Sequence, residues 1–187
     1  MDKLVFDIET KNSFREVGGE RNIAALQVSV VGIYSYNHDQ YWCFTEHELD
    51  KVEELFKGAG LVVGHTINRF DLPVLQKHFS FNTKALAVVD ICEDIELAVG
   101  RKIGLDDLGK VNLGMSKTHH GLEAIDLYRD GNMEELKNYC LNDVKITKEL
   151  YDLGKKQGFL KAPNRITGVH EKAAVAWREV IFPATLF

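Results

Sequence analysis

Residues 3–9, Lys-Leu-Val-Phe-Asp-Ile-Glu, read as a β-strand whose period of two sends Leu4, Phe6 and Ile8 to one face and Asp7 and Glu9 to the other. The two acids then stand roughly 7 Å apart along the strand. Neighbouring carboxylates repel each other and resist burial, so the sheet that holds this strand requires cations, protons or basic partners on one face. A divalent metal is one natural answer. Residues 27–36 and 40–45 read as two further strands, and the turn-prone Asn37-His38-Asp39 between them makes the opening antiparallel.

Thr45 precedes Glu-His-Glu-Leu-Asp-Lys-Val-Glu-Glu-Leu-Phe, in which Leu49, Val52, Leu55 and Phe56 follow helical spacing, and Gly58 and Gly60 are expected to close it. A short buried strand is expected at 61–65, a helix at 71–79 with Pro73 in its first turn, and another strand at 85–91. From 92 onward the chain reads as helices over 92–99, 105–112, 122–130 and about 133–153, the last with Asn132 as N-cap, Glu135 at the capping-box position and Gly154 at its end. Strands early and helices late predict an α/β fold: a mixed central sheet, antiparallel in its first three strands, with helices on both faces.

The 187 residues suffice for one ordinary domain with its own core. We divide them into a domain at 1–154 and a basic C-terminal extension at 155–187 packed on it. The net charge of −5 argues against a protein that grips nucleic acid by a broad basic surface. From residue 155, Lys155, Lys156, Lys161, Arg165, Lys172 and Arg178 face only Glu171 and Glu179, a surplus of four that leaves −9 on residues 1–154. A basic end beside an acidic body suits a phosphate-gripping flank or an ordinary solvated helix and loop. Ile181, Phe182, Leu186 and Phe187 in the same segment could dock a protein partner or finish the core. No apolar run approaches a membrane span, and the start lacks a signal-peptide layout, so a cytoplasmic protein is expected. Cys43, Cys92 and Cys140 are dispersed and without Cys-x-x-Cys spacing, which suggests reduced thiols rather than disulfides or zinc.

Asp-x-Glu alone carries little weight, because it recurs at Asp94 and Glu96 in a context that looks helical and solvated. Two further segments accompany it. In Gly-His-Thr-Ile-Asn-Arg-Phe-Asp-Leu-Pro-Val-Leu (64–75), Asp71 sits where a helix begins, a position that taken alone reads as an N-cap. In Tyr-Cys-Leu-Asn-Asp (139–143), Tyr139 and Asp143 share one face of the long helix, in line with Leu136, Cys140, Thr147 and Leu150. A core tyrosine is common, but an aspartate inside an apolar stripe needs a buried Arg or Lys partner that the sequence does not identify.

Phe-Asp-Ile-Glu-Thr, Gly-His-Thr-Ile-Asn-Arg-Phe-Asp and Tyr-Cys-Leu-Asn-Asp, in this order, resemble the three sequence blocks of the DEDD exonuclease superfamily in its tyrosine-bearing branch, whose fold is RNase H-like. The resemblance is closest to predicted 3′-to-5′ exonucleases related to the proofreading domain of family-B DNA polymerases, including YprB-like ribonuclease H-like domains, and spans residues 3–153. It implies a two-metal phosphodiesterase that shortens DNA or RNA from the 3′ end and releases nucleoside 5′-monophosphates. In it Asp7, Glu9, Asp71 and Asp143 hold two Mg²⁺ or Mn²⁺ ions about 4 Å apart, with Asp7 bridging, and Tyr139 orients the attacking water. Thr10, His65, Thr66, Phe70 and Lys117 are the substrate-side residues it implies, Lys117 as a phosphate contact. His65 also reads as a core hydrogen bonder, and His119 and His120 read first as surface residues. Phe14 or a neighbour in 10–22 is the candidate for stacking on the terminal base. Where relatives often read Gly-His-Asn, this chain has Gly64-His65-Thr66. Competing readings are a non-catalytic nucleic-acid-binding or scaffold domain on the same fold, and a structure-specific endonuclease.

Overall fold

The computed structural model describes residues 1–117 and 121–177. His119 and His120 lie outside the described residues, as do Arg178, Glu179, Ile181, Phe182, Leu186 and Phe187. Strands β1 (Asp2–Thr10), β2 (Val28–Ser35) and β3 (Gln40–Thr45) form the expected antiparallel meander. Helix α1 (Leu49–Lys57) crosses over to β4 (Ala59–Gly64), which pairs parallel with β1, and α2 (Asp71–Leu75) leads on to β5 (Val88–Asp90), parallel to β4. The sheet order β3-β2-β1-β4-β5 puts β1 at its centre. Then come α3 (Ile91–Val99), α4 (Leu105–Leu113), α5 (Gly121–Arg129) and α6 (Met133–Gln157), and a hairpin of β6 (Phe159–Pro163) and β7 (His170–Ala174).

The alternation in β1 divides the interior. Leu4, Phe6 and Ile8 pack with Val52 and Phe56 of α1 and with Leu72 and Leu75 of α2. On the other face Val5 joins Ile91 and Ile95 of α3, Leu108 of α4 and Val144 and Leu150 of α6. Helices cover both faces, as the patterning predicted. The α1 entry is signed by a capping box, in which the Thr45 N–H and hydroxyl donate to Glu48 Oε2 at 3.1 Å each. It opens a short 3-10 turn, Glu46–Glu48, from which α1 continues.

Several expected boundaries shift. Gly60 does not close α1 but lies within β4. The predicted helix 71–79 is an α-helix only to Leu75 and continues as a 3-10 turn. Asn132 holds the N-cap position of α6 without a side-chain capping bond. Gly154 does not end α6. The Trp177 ring lies where a β-carbon on Gly154 would stand, so the glycine is a seat for the indole inside the helix, and the left-handed Gly158 at φ 77° ends it. The hairpin was not anticipated, because Phe-Leu-Lys-Ala-Pro and His-Glu-Lys-Ala-Ala lack the β-branched residues that mark strands. Its Leu160, Ala162 and Ala173 are nonetheless core, packed with Ile146 and Tyr151 of α6.

Candidate active site

β1 delivers Asp7 and Glu9 to the face covered by α6, and α6 must come close for its own acid to meet them. Asp7 pairs in register with Gly32 of β2. A β-carbon on Gly32 would stand 2.9 Å from both Cys140 Sγ and Val144 Cγ2, so the missing side chain is what lets α6 settle on the sheet. Asp143 thereby arrives beside the two strand acids: one ligating oxygen each from Asp7, Glu9 and Asp143 lie within 4.8 Å of one another. Asp143 is fully buried and Glu9 is 8% exposed.

Asp71 lies outside this group of three but lines the same cavity. It occupies the first turn of α2, and its Oδ1 accepts the Ile8 N–H at 3.0 Å, which ties the helix start to β1. The cavity, about 570 Å³, is lined by all five predicted catalytic residues and by Thr10, His65, Thr66, Phe70, Lys117 and Phe14.

Electrostatics in this cavity are unbalanced. Burial, then the charges of Asp71, Asp143 and Glu9, push the Asp7 carboxyl well above the usual carboxylate range. Burial does the same to Glu9 and raises Asp143, and it lifts Asp71 to about 7. Lys117 supplies the cation that the sequence could not name for Asp143: Nζ lies 2.5 Å from Asp143 Oδ2. Burial works against the ammonium, but Asp143 and Asp7 outweigh it and keep it protonated. One lysine cannot neutralise four carboxylates. The remaining charge, the all-oxygen donor set and the spacing of the three acids fit hard divalent cations such as Mg²⁺ or Mn²⁺. Burial, then the charges of Glu9 and Asp143, carry the Tyr139 phenol above the usual range.

The residue types, the motif order and this cavity match a known family. The 3′-5′ exonuclease family model covers residues 1–156. The chain belongs to that family. The exonuclease is thus a nucleic-acid hydrolase, and its mixed sheet is the RNase H-like fold of polymerase exonuclease domains. A family B DNA polymerase from the hyperthermophilic archaeon Pyrobaculum calidifontis superposes on it with a TM-score of 0.65 at 17% identity. That match covers 82% of this chain and 24% of the polymerase, so the exonuclease spans about a quarter of that protein. No curated protein sequence matches it.

His65 is held at both ring nitrogens: Nε2 donates to the Ile103 carbonyl at 2.9 Å, and Nδ1 lies 3.2 Å from the Thr66 hydroxyl. It bridges the end of β4 to the loop before α4. Phe14 and Phe70 meet edge to face, centroids 5.6 Å apart, as an aromatic wall of the cavity. Two contributors went unread in the sequence. Asp90, at the end of β5, accepts the N–H groups of Thr66 and Asn68 at 2.8 and 3.0 Å and also caps α3, clamping the loop that leads to Asp71. An aspartate after Val-Val and before a helix is a capping signature that could have revealed it. Lys102 lines the cavity, is exposed, and has no ion pair among the described residues. Arg69, also on the wall, is engaged by Glu93 and Glu96. Glu96 is therefore paired rather than simply solvated. Asp94 also departs from the solvated reading: it is half-buried and accepts the Trp177 indole N–H at 2.6 Å.

Proposed function

We propose that this protein is an exonuclease of the tyrosine-bearing DEDD branch, which removes nucleoside 5′-monophosphates from the 3′ end of DNA or RNA. The observation that carries the reading is the convergence of Asp7, Glu9 and Asp143 oxygens within 4.8 Å in a cavity that Asp71 and Tyr139 also line. The four acids would hold two divalent ions, which would balance the mutual repulsion that Asp7 feels from Asp71, Asp143 and Glu9. When bound, such ions supply a water of lowered pKa and neutralise charge building on the phosphate. Tyr139, whose phenol stays protonated at neutral pH, positions the attacking water and is not its base. Lys117 and Lys102 offer cationic contacts to the phosphates, and Phe14 and Phe70 an aromatic wall for the terminal base.

The deciding experiment is a panel of end-labelled DNA and RNA oligomers, single-stranded and duplex, incubated with Mg²⁺ or Mn²⁺. Progressive shortening of 3′-tailed strands with release of mononucleotides is expected. Cutting of a circular single strand would point instead to an endonuclease, and inertness of every substrate to a binding domain on the same fold.

A further inference from the structure

Cys43 and Cys140 take no part in the chemistry above, yet they meet beside Asp7. Asp7, Gly32 and Cys43 stand abreast on three adjacent strands, and opposed residues of antiparallel strands present their side chains on one face. The space above Gly32 is filled by Cys140 Sγ. From there the Cys140 sulfur lies 3.5 Å from the Asp7 carbonyl oxygen and 4.0 Å from Asp7 Oδ2. Cys43, opposite Gly32 on the next strand, packs on the other side of that sulfur against the cluster that Cys140 forms with Val30, Leu136 and Tyr139. The sequence reading of dispersed thiols therefore misses a pair 97 positions apart in the chain and gathered in one cluster of the fold. Cys140 is buried, whereas Cys43 is partly exposed, so an oxidant arriving from solvent meets Cys43 first.

We propose that Cys43 and Cys140 form a peroxide-responsive pair whose oxidation to a disulfide disables the carboxylate site; the effect on catalysis rests on the exonuclease reading above. In the first step the Cys43 sulfur attacks a peroxide oxygen, the O–O bond breaks, and Cys43 becomes a sulfenic acid while the thiol proton leaves with the second oxygen as water. The Cys140 sulfur then attacks the Cys43 sulfur. The S–O bond breaks, the S–S bond forms, and the hydroxyl departs with the Cys140 proton as a second water. Two electrons have passed from the thiols to one hydrogen peroxide.

The cross-link draws the two sulfurs to a covalent separation of about 2 Å. Cys140 lies next to Tyr139 and one turn before Asp143 on α6, so drawing its sulfur toward β3 moves both of them relative to Asp7 and Glu9. Cys92 is a built-in control, because it is buried in the first turn of α3, outside the cluster that holds the other two cysteines.

The full chain should be treated with hydrogen peroxide, alkylated, and read in three ways: non-reducing peptide mass spectrometry, Mn²⁺ titration calorimetry, and shortening of a 3′-tailed oligonucleotide. The expected result is a Cys43–Cys140 peptide with Mn²⁺ affinity and rate both lowered roughly 10- to 100-fold, the scale on which displaced neighbours of metal ligands act. Dithiothreitol should restore both, and Cys43→Ser should be resistant. Oxidation of Cys43 without a cross-link, or a cross-link that leaves Mn²⁺ affinity unchanged, would overturn the proposal. If the untreated protein shortens no substrate, it is the exonuclease reading that fails, while mass and Mn²⁺ titration still decide the thiol pair.

Discussion

The chain carries the pattern Asp-x-Glu twice, and the two copies have opposite fates. Asp7 and Glu9 lie on a central strand, where a period of two aims both at one face and where Gly32 lets a third acid descend from α6. Asp94 and Glu96 lie on α3, where the same spacing turns them apart: Asp94 receives the Trp177 indole, and Glu96 pairs with Arg69. Each acid of the helical copy therefore has its own partner. The strand copy shares one lysine with Asp143 and is left with charge that cations must balance. The motif is common to both places; the strand, the glycine beside it and the closeness of the helix are not.

The largest expected contrast follows from that imbalance. Asp143→Asn removes a ligand from a site worth several kcal/mol of charge stabilisation, and so lowers the Mn²⁺-dependent rate on the order of 10³-fold while circular dichroism stays native. Glu96→Gln, the matching change in the helical copy, should leave the rate within about twofold, since an exposed pair contributes at most ~1 kcal/mol. Equal losses in both variants would show that the setting does not separate the two copies.

Gly32→Ala tests the setting itself. The added methyl collides with Cys140 and Val144, and overpacking of this kind costs about 1–3 kcal/mol. Urea unfolding should report that loss, and the Mn²⁺ affinity should fall with it, because α6 carries Asp143. Asp94→Ala is the counterpart. Losing the acceptor of the Trp177 N–H should cost about 1–3 kcal/mol in the same unfolding measurement and leave kcat unchanged. A fall in kcat for Asp94→Ala would mean that the Trp177 seat on α6 is coupled to the acids.

The contrast also shows what a sequence discloses. The face of β1, the antiparallel opening and the tyrosine–aspartate pair on α6 were legible because each rests on a local period. The Lys117–Asp143 ion pair, the gathering of Cys43 and Cys140 and the Trp177 seat on Gly154 were not, since each joins side chains distant in the chain through close backbone approach. The β6–β7 hairpin escaped for another reason: its buried positions are mostly alanine, so the apolar alternation that identifies a strand is faint. Lys102 was hidden in Gly-Arg-Lys-Ile-Gly, which reads as a plain turn until the fold curls it over the cavity.

The smallest effect concerns Thr66, which follows β4 at a φ of 71°, in the left-handed region that a β-branched residue rarely adopts. Its N–H is clamped by Asp90 Oδ1 at 2.8 Å, and Phe70 N–H donates to its carbonyl at 3.1 Å, so the loop holds the residue in that conformation. Asparagine tolerates the left-handed region more readily. Thr66→Asn should relieve about 1 kcal/mol of backbone strain, set against the loss of a long 3.2 Å contact between the hydroxyl and His65. The net gain, below about 1 kcal/mol, should raise the melting temperature by less than roughly 2–4 °C for a chain of this size. A lower melting temperature would mean that the hydroxyl bridge to His65 matters more than the strain. In either case the Asp94 region should be untouched, which near-ultraviolet dichroism of Trp177 can check.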